Sequence, residues 1–296
     1  MRAESTRAGA GTATKDTLSK EQIEFISQFI YQRSGILLGE SKRYLIENRL
    51  RSVAKMAGLQ TVSDVCRELA NNPPQLQTLV LDALTTNETL WFRDTKPFEA
   101  LEKVILPAIF RAKTSKVLQV WSAACSTGQE PYSIAMTIAE SGLFKDWLVR
   151  VVATDISTSA LDHAREGIYS QLEVSRGLPV RLLMKYFVQI GHVWKIKPEV
   201  KAHVAFRHHV LQNDATGLGR FDLIFCRNVL IYFDIETKRT ILDRIHRVMT
   251  NEGLLALGGS ETALNVSDKF EGIKICRAPF YAKHNSHHPW HTVRTE

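Results

Sequence analysis

The chain has 296 residues, enough for two compact domains at roughly 100–200 residues each. Hydrophobic residues make up 44% and charged residues 23%, which excludes a wholly disordered or collagen-like chain, and no apolar run approaches the ~18 residues of a membrane helix. Lys plus Arg outnumber Asp plus Glu by 38 to 31, a net +7 that favours an acidic partner: nucleic acid, an anionic surface or an acidic protein helix. The four cysteines, Cys66, Cys125, Cys226 and Cys276, lack any C-x-x-C or metal-ligand spacing, and such scattered thiols point to a reducing cytoplasm and not to a disulfide framework.

Residues 1–17 are small and polar, without the apolar core of a secretory signal, and are expected to form a disordered leader. Ser19 followed by Gln22 reads as a capping box, in which the Ser side chain accepts a backbone N–H and the Gln reaches back. Ile23, Ile26, Phe29 and Ile30 follow at helical spacing until Gly35 stops the run. A second helix is predicted over Ser41–Met56, with Tyr44, Leu45, Leu50 and Val53 as its buried stripe and Gly58 beyond its end. Shorter helices are predicted at Val62–Leu69 and Leu76–Leu84, and a longer one at Lys96–Ala112.

From Lys116 the pattern changes to short apolar runs alternating with helical segments. Val117–Trp121, Leu148–Ala153, Phe221–Cys226 and Leu254–Leu257 read as strands; Gln129–Ser141, Ser159–Arg165 and Glu236–Met249 read as helices. That alternation predicts an α/β fold with a parallel sheet. Between Gly167 and Lys201 it is interrupted by a helix near Pro179–Lys185 and two short runs about Gly191, a small hairpin insertion.

Ligands of open α/β sheets bind at the carboxyl ends of strands. The loop after the first strand, Ser122-Ala-Ala-Cys-Ser-Thr-Gly-Gln-Glu130, is made of small residues but holds one glycine. It carries neither the dinucleotide fingerprint nor the Gly-Lys-Ser/Thr phosphate loop. Asp155 closes the next strand and can accept both ribose hydroxyls. A small-residue loop plus an acid, with no phosphate cradle, suits a nucleoside without phosphate, S-adenosylmethionine foremost. The plain alternative is a tight strand–helix turn with Asp155 as a helix cap.

Four longer motifs then decide between these. They are Thr86-Asn-Glu-Thr-Leu-Trp-Phe-Arg-Asp94, Val120-Trp-Ser-Ala-Ala-Cys-Ser-Thr-Gly-Gln-Glu-Pro-Tyr-Ser133, Ala153-Thr-Asp-Ile156 and Phe221-Asp-Leu-Ile-Phe-Cys-Arg-Asn-Val-Leu-Ile-Tyr-Phe233. In this order they closely resemble the CheR family of chemotaxis-receptor methyltransferases, over about Leu18 to Lys283. The resemblance implies an α/β protein: a small N-terminal all-α domain (18–92), then a Rossmann-like S-adenosylmethionine-dependent methyltransferase domain (93–283) with a small antiparallel β-subdomain insertion (about 168–201) and a flexible tail (284–296). It implies a protein-glutamate O-methyltransferase that uses S-adenosyl-L-methionine, releases S-adenosyl-L-homocysteine and acts in the cytoplasm for sensory adaptation. Its partners would be the cytoplasmic methylation helices of chemoreceptors, with no nucleic acid and no membrane insertion; nothing in the sequence points beyond a monomer.

By position, the donor contacts implied are Asn87, Thr89, Arg93, Glu130, Asp155, Val210, Leu211, Cys226 and Arg227, and the catalytic pair Arg93 and Tyr232. Two departures are Val210, where relatives often carry a polar residue, and Gln129, often acidic in relatives. No metal is implied. An exposed glutamate has a pKa near ~4.3, so the acceptor is already ionised and needs no general base. Both reactant charges vanish on transfer, so a water-poor, aligned site should help, with alignment supplying roughly 7–11 kcal/mol. Tyr232 would orient the carboxylate; Arg93, an always-protonated guanidinium, would hold donor or acceptor and not act as a base. Without the motif, Tyr232 reads as strand-end packing and Arg93 as a surface ion pair with Asp94 or Glu99.

Lys42, Arg43, Arg49, Arg51 and Lys55 face one acid, Glu47, between Ser41 and Met56. On a helix Lys42 with Arg49, and Arg51 with Lys55, share faces, giving either a solvated surface or a docking patch for an acidic receptor helix. Family members that also grip a pentapeptide at the receptor's carboxyl tail resemble one another in a glycine-containing insertion in the hairpin turn. The short turn Gln189-Ile-Gly-His192 here predicts independence from that tether. His284, His287, His288 and His291 are read as part of the tail and His208-His209 as lining the sheet, not as metal ligands. The alternatives left open are an S-adenosylmethionine-dependent RNA methyltransferase, which the charge allows but no RNA-module signature supports, and a non-catalytic S-adenosylmethionine-binding signalling module.

Overall fold

The computed structural model describes residues 16–284, so the predicted leader and histidine tail lie outside the described residues apart from Asp16, Thr17 and His284. The chain divides into two compact units: the segment through Gln28 with Gly39–Leu84, and Phe29–Leu38 with everything from Thr85 onward.

The first unit is all-helical. Helix α1 (Lys20–Ser34) opens with the predicted capping box, Gln22 N–H on Ser19 Oγ at 3.2 Å and Ser19 N–H on Gln22 Oε1 at 2.9 Å. It is followed by α2 (Arg43–Met56), α3 (Val62–Ala70) and α4 (Pro74–Leu84). Ile23, Ile26, Ile46, Leu50, Val53, Val62, Val65 and Val80 are buried in this unit, each worth ~1.5–3 kcal/mol relative to exposure. The buried stripe of α2 departs from the sequence reading. Tyr44 and Leu45 are exposed, while Ile46 and Glu47 turn inward. Glu47 can be buried because Leu18 N–H and Arg43 Nε–H, at 3.0 and 3.1 Å, satisfy its carboxylate.

In the second unit, α5 (Lys96–Ala100), a π turn (Leu101–Ile105) and α6 (Leu106–Ala112) form the predicted long helix, interrupted. Leu106 N–H reaches back five residues to Leu101 O, and Pro107 next to it has no N–H to restore the ordinary ladder. The sheet contains β1 (Val117–Ala123), β2 (Leu148–Asp155), β6 (Val204–His208), β7 (Phe221–Cys226), β8 (Met249–Leu257), β9 (Phe270–Ile275) and β10 (Ala278–Lys283), in the order β6-β2-β1-β7-β8-β10-β9. The first five are parallel; β10 runs antiparallel to both neighbours. Strands β9 and β10 were not foreseen, and β6 was foreseen only as a strand end at Val210–Leu211, two to three residues beyond where it stops.

Alternate residues of each central strand serve opposite faces. Leu118, Val120, Leu223, Phe225, Leu254 and Ala256 pack with Phe98, Leu101 and Ile105, and with Ile134 and Ile138 of α7 (Gln129–Ser141). Trp121, Ala123, Ile224, Cys226, Leu255 and Leu257 pack with Ile241, Leu242 and Ile245 of α12 (Ile235–Val248). With both faces covered, the strands read as near-continuous apolar runs, which is what made them legible.

After α8 (Thr158–Glu166) comes the insertion: β3 (Ile168–Ser170), α9 (Gln171–Ser175), α10 (Val180–Tyr186), β4 (Phe187–Ile190), β5 (Val193–Ile196) and α11 (Pro198–Lys201). Its strands form a separate antiparallel sheet ordered β3-β5-β4. Glu140 of α7 accepts hydrogen bonds from Lys185 at 2.6 Å and Tyr186 at 2.6 Å, and from Arg181, which ties α10 to the sheet domain. Burial opposes the Glu140 charge, but these three donors outweigh it and hold its pKa at about 2. No helix among the described residues is long and apolar enough to cross a membrane.

Candidate active site

The sheet order reverses next to β1: β2 and β6 lie on one side, β7 and β8 on the other. Connections leaving the carboxyl ends of β1 and β7 therefore diverge and leave a crevice between them.

The loop after β1 is shaped by backbone bends. Ala124 (φ 63°) and Ser126 (φ 50°) are left-handed without being glycine, and Gly128 (φ 95°) caps α7. Each non-glycine bend costs on the order of 1–3 kcal/mol and needs outside support. Cys125 N–H donates to Thr154 O at 2.9 Å, Ser126 N–H to Asp155 Oδ2 at 2.7 Å, and Ser126 Oγ to Asn87 O at 2.7 Å. Asp155 is buried and also accepts Ser157 N–H at 2.9 Å; Ser157, not Asp155, caps α8.

In the first turn of α7, Glu130 accepts from Ser122 Oγ at 2.8 Å and from Arg227 at 3.0 Å. Burial pushes the Glu130 carboxyl above its usual range, moderated by the Arg227 charge and the Ser122 hydrogen bond. Arg227, just past β7, also donates to Arg93 O and Asp94 Oδ2, both at 2.7 Å, and its guanidinium lies 5.7 Å from the Phe98 ring centre. Its side chain is 1% exposed, so Arg227 is the buried knot joining β7, α7 and the 93–94 turn.

These elements enclose a cavity of about 670 Å³, counted out to its open mouth. Asn87, Thr89, Arg93, Glu130, Asp155, Arg227 and Tyr232 all line it. A second cavity of about 340 Å³ shares Ile36, Ala124, Asp155, Ile156 and Val229 with the first and adds Val210, Leu211, His209 and Phe233. Val210 and Leu211 lie beyond the end of β6, not on it. Of the donor contacts inferred from sequence, Cys226 alone lines neither cavity; it is fully buried against α12, and burial pushes its thiol well up. The Arg93 guanidinium donates one hydrogen bond, to Glu88 O at 3.2 Å; neither of the surface ion pairs considered for it forms, since Asp94 pairs with Arg227 and Glu99 with Lys96.

Sequence reasoning missed Ile36, Asn228 and His209. Ile36 reaches the cavity because it bridges Phe233 and because Leu37 N–H donates to Tyr232 O at 3.0 Å, a long-range pairing no local pattern encodes. Asn228 sits inside the quoted fourth motif and could have been found there. His209 was dismissed as sheet lining; burial, with His208 and Arg244 nearby, lowers its pKa, so it lines the second cavity neutral at pH 7.

The basic residues of the first unit are divided in their roles. Arg43 also donates to Leu18 O, Arg49 to Ala83 O at 3.2 Å, and Arg51 to Asp16 O at 2.9 Å. Arg51 and Lys55 are exposed one turn apart on α2, and Lys42 stands just before its start.

Two family models match: "CheR methyltransferase, all-alpha domain" over residues 21–85 and "CheR methyltransferase, SAM binding domain" over residues 87–278. The chain belongs to the CheR methyltransferase family. Chemotaxis protein methyltransferase 1 of Pseudomonas aeruginosa is 42% identical over 264 residues, covering 87% of this chain and 96% of that one. The chemotaxis protein methyltransferase of Escherichia coli is 37% identical over 260 residues, covering 86% and 88%. The cofactor of a CheR chain is S-adenosylmethionine, and the residues present fit it. Asp155 offers acceptors beside an apolar second cavity, acidic Glu130 suits a cationic donor, and no lysine-bearing phosphate loop competes for the space.

Proposed function

We propose that the protein methylates the side-chain carboxylates of specific glutamates on chemoreceptors, giving glutamyl methyl esters and S-adenosylhomocysteine for sensory adaptation. The observation that carries this reading is the convergence of Arg93 and Tyr232 on the cavity that also holds Asp155 and Glu130. A phenol and a guanidinium can both hold a carboxylate, and neither is needed to deprotonate one.

S-adenosylmethionine supplies an electrophilic methyl on a sulfonium. Asp155 would hold the ribose, and the apolar walls at Val210, Leu211 and Phe233 would hold the base. Tyr232 orients the incoming carboxylate and Arg93 fixes donor or acceptor oxygens, so alignment and not proton transfer lowers the barrier. Arg227 acts through Glu130. The bound acceptor and Ile36 exclude water while the charges vanish.

The relatives' names support chemoreceptors as the acceptors. Lys42, Arg51 and Lys55, with Arg43 and Arg49, would meet an acidic receptor helix, and the protein would act as a cytoplasmic monomer. The two-residue turn Gly191-His192 between β4 and β5 leaves no room for the glycine-containing insertion and supports independence from a tethering pentapeptide. Transfer of radiolabelled methyl to receptor cytoplasmic fragments tests the main reading. The label should be released as methanol by mild base; base-stable label, or none, refutes it. Tight calorimetric binding of a receptor-tail pentapeptide would overturn the independence.

A further inference from the structure

We infer that Glu261 is a positioning residue for methyl transfer: its carboxylate fixes the backbone that presents Asn228 and Tyr232 to the cavity. The inference rests on the methyl-transfer reading of that cavity. Glu261 lies four residues beyond β8, is buried, and lines neither cavity. Its Oε1 accepts Val229 N–H at 2.9 Å and Leu230 N–H at 2.7 Å; its Oε2 accepts Asn228 N–H at 2.7 Å and Gly258 N–H at 2.6 Å. One side chain thus satisfies three consecutive amides of the turn after β7 and one after the adjacent strand β8.

That turn needs an external hold. Asn228 is left-handed at φ 56°, and its Oδ1 is buried without a partner. The hold passes onward: Val229, fixed through its N–H, accepts Tyr232 N–H on its carbonyl at 3.2 Å, and Tyr232 O is taken by Leu37 N–H. Tyr232 is therefore gripped from two sides, and Glu261 supplies one of them. Gly258 completes the device. A Cβ there would stand 2.6 Å from Glu261 Oε2 and 2.9 Å from Asn228 N, so any side chain would displace the carboxylate.

The test is Glu261→Gln, which keeps the shape but turns an amide NH₂ toward two N–H groups. Expected is a kcat lower by about tenfold or more on receptor fragments, with KM changed less than about threefold. Calorimetric Kd for S-adenosylhomocysteine should stay within about threefold, because Asp155 and Glu130 are anchored elsewhere. Amides 228–230 should lose hydrogen-exchange protection, and Glu261→Asp, which keeps both oxygens, should recover part of kcat. If Glu261→Gln does not fold, Gly258→Ala displaces the same carboxylate and is read in the same way. A variant with a lower unfolding midpoint but wild-type kcat per folded molecule overturns the inference, as does unchanged protection at 228–230. Failure of the wild type to methylate receptor fragments would strike the functional reading alone; the exchange and S-adenosylhomocysteine measurements would still decide for or against Glu261.

Discussion

Replacing Arg227 with Met would remove the positive charge that bonds Glu130 in this interior. Arg227→Met keeps an apolar stem under Phe98 but deletes bonds of 3.0 Å to Glu130, 2.7 Å to Asp94 and 2.7 Å to Arg93 O. The Asp94 contact counts for little, on the order of 0–1 kcal/mol, because that side chain is 47% exposed. Glu130 matters more: its side chain is 12% exposed, and breaking a buried pair on one side costs about 3–5 kcal/mol. Over a unit of this size that is a fall in Tm of about 6–20 °C. Burial already raises the Glu130 carboxyl, and losing Arg227 raises it further. A raised folded-state carboxyl binds its proton more readily than the unfolded chain does, so the variant's deficit grows as pH rises and shrinks toward acid. The tryptophans among the described residues, Trp91, Trp121, Trp147 and Trp194, all lie outside the helical first unit. Urea unfolding followed by their fluorescence therefore reads the second unit. Glu130→Gln with Arg227→Met should recover about 2 kcal/mol or more of the loss, the coupling of a double-mutant cycle. A loss below about 1 kcal/mol for Arg227→Met, or no recovery in the pair, would refute the reasoning.

Tyr232→Phe should lower kcat by about 10- to 150-fold, the worth of a hydrogen bond to a charged group, while S-adenosylhomocysteine still binds in calorimetry. An unchanged rate removes the phenol from the chemistry. Asp155→Ala strands Ser126 N–H and Ser157 N–H and should weaken S-adenosylhomocysteine by about tenfold or more, read by the same titration. Glu140 is held at about 2 against ~4.3 unfolded, so its stabilising contribution is complete above ~4.3 and lost as pH falls toward 2. Glu140→Gln should therefore flatten the acid limb of the unfolding midpoint between about pH 5 and pH 2; an unaltered limb would show that the three donors do not hold that charge.

What the sequence made legible follows from the physics of each part. Central strands such as Phe221–Cys226, buried on both faces, announce themselves as nearly continuous apolar runs, and the loops at their carboxyl ends carry the motif residues. Helix α2 misled because hydropathy ranks Tyr44 and Leu45 above Glu47, whereas the fold buries Glu47 by giving it Arg43 and the Leu18 amide. Strand β6 has a half-exposed, mixed composition, and β9 and β10 pair with each other at the sheet's edge, so none of the three shows a clean run. In the site, residues that present side chains to the cavity were readable by motif. Ile36 and Glu261 were not: Ile36 acts by backbone pairing with the distant Phe233, and the Glu261 carboxylate by accepting amides 31–33 residues upstream, and such bonds leave no local mark.

The bent loop between β1 and α7 bears on how a ligand would be received. Ala124 and Ser126 hold unfavourable backbone angles because Thr154, Asp155, Asn87 and Tyr169 already bind that loop. The entropy of ordering it is lost when the domain folds, before any small molecule arrives. Association should then proceed without a slow rearrangement of this wall, and calorimetry should find little heat-capacity change beyond that of covering apolar surface. A receptacle made rigid in advance favours quick exchange of spent for fresh cofactor, which suits a methyltransferase that turns over repeatedly.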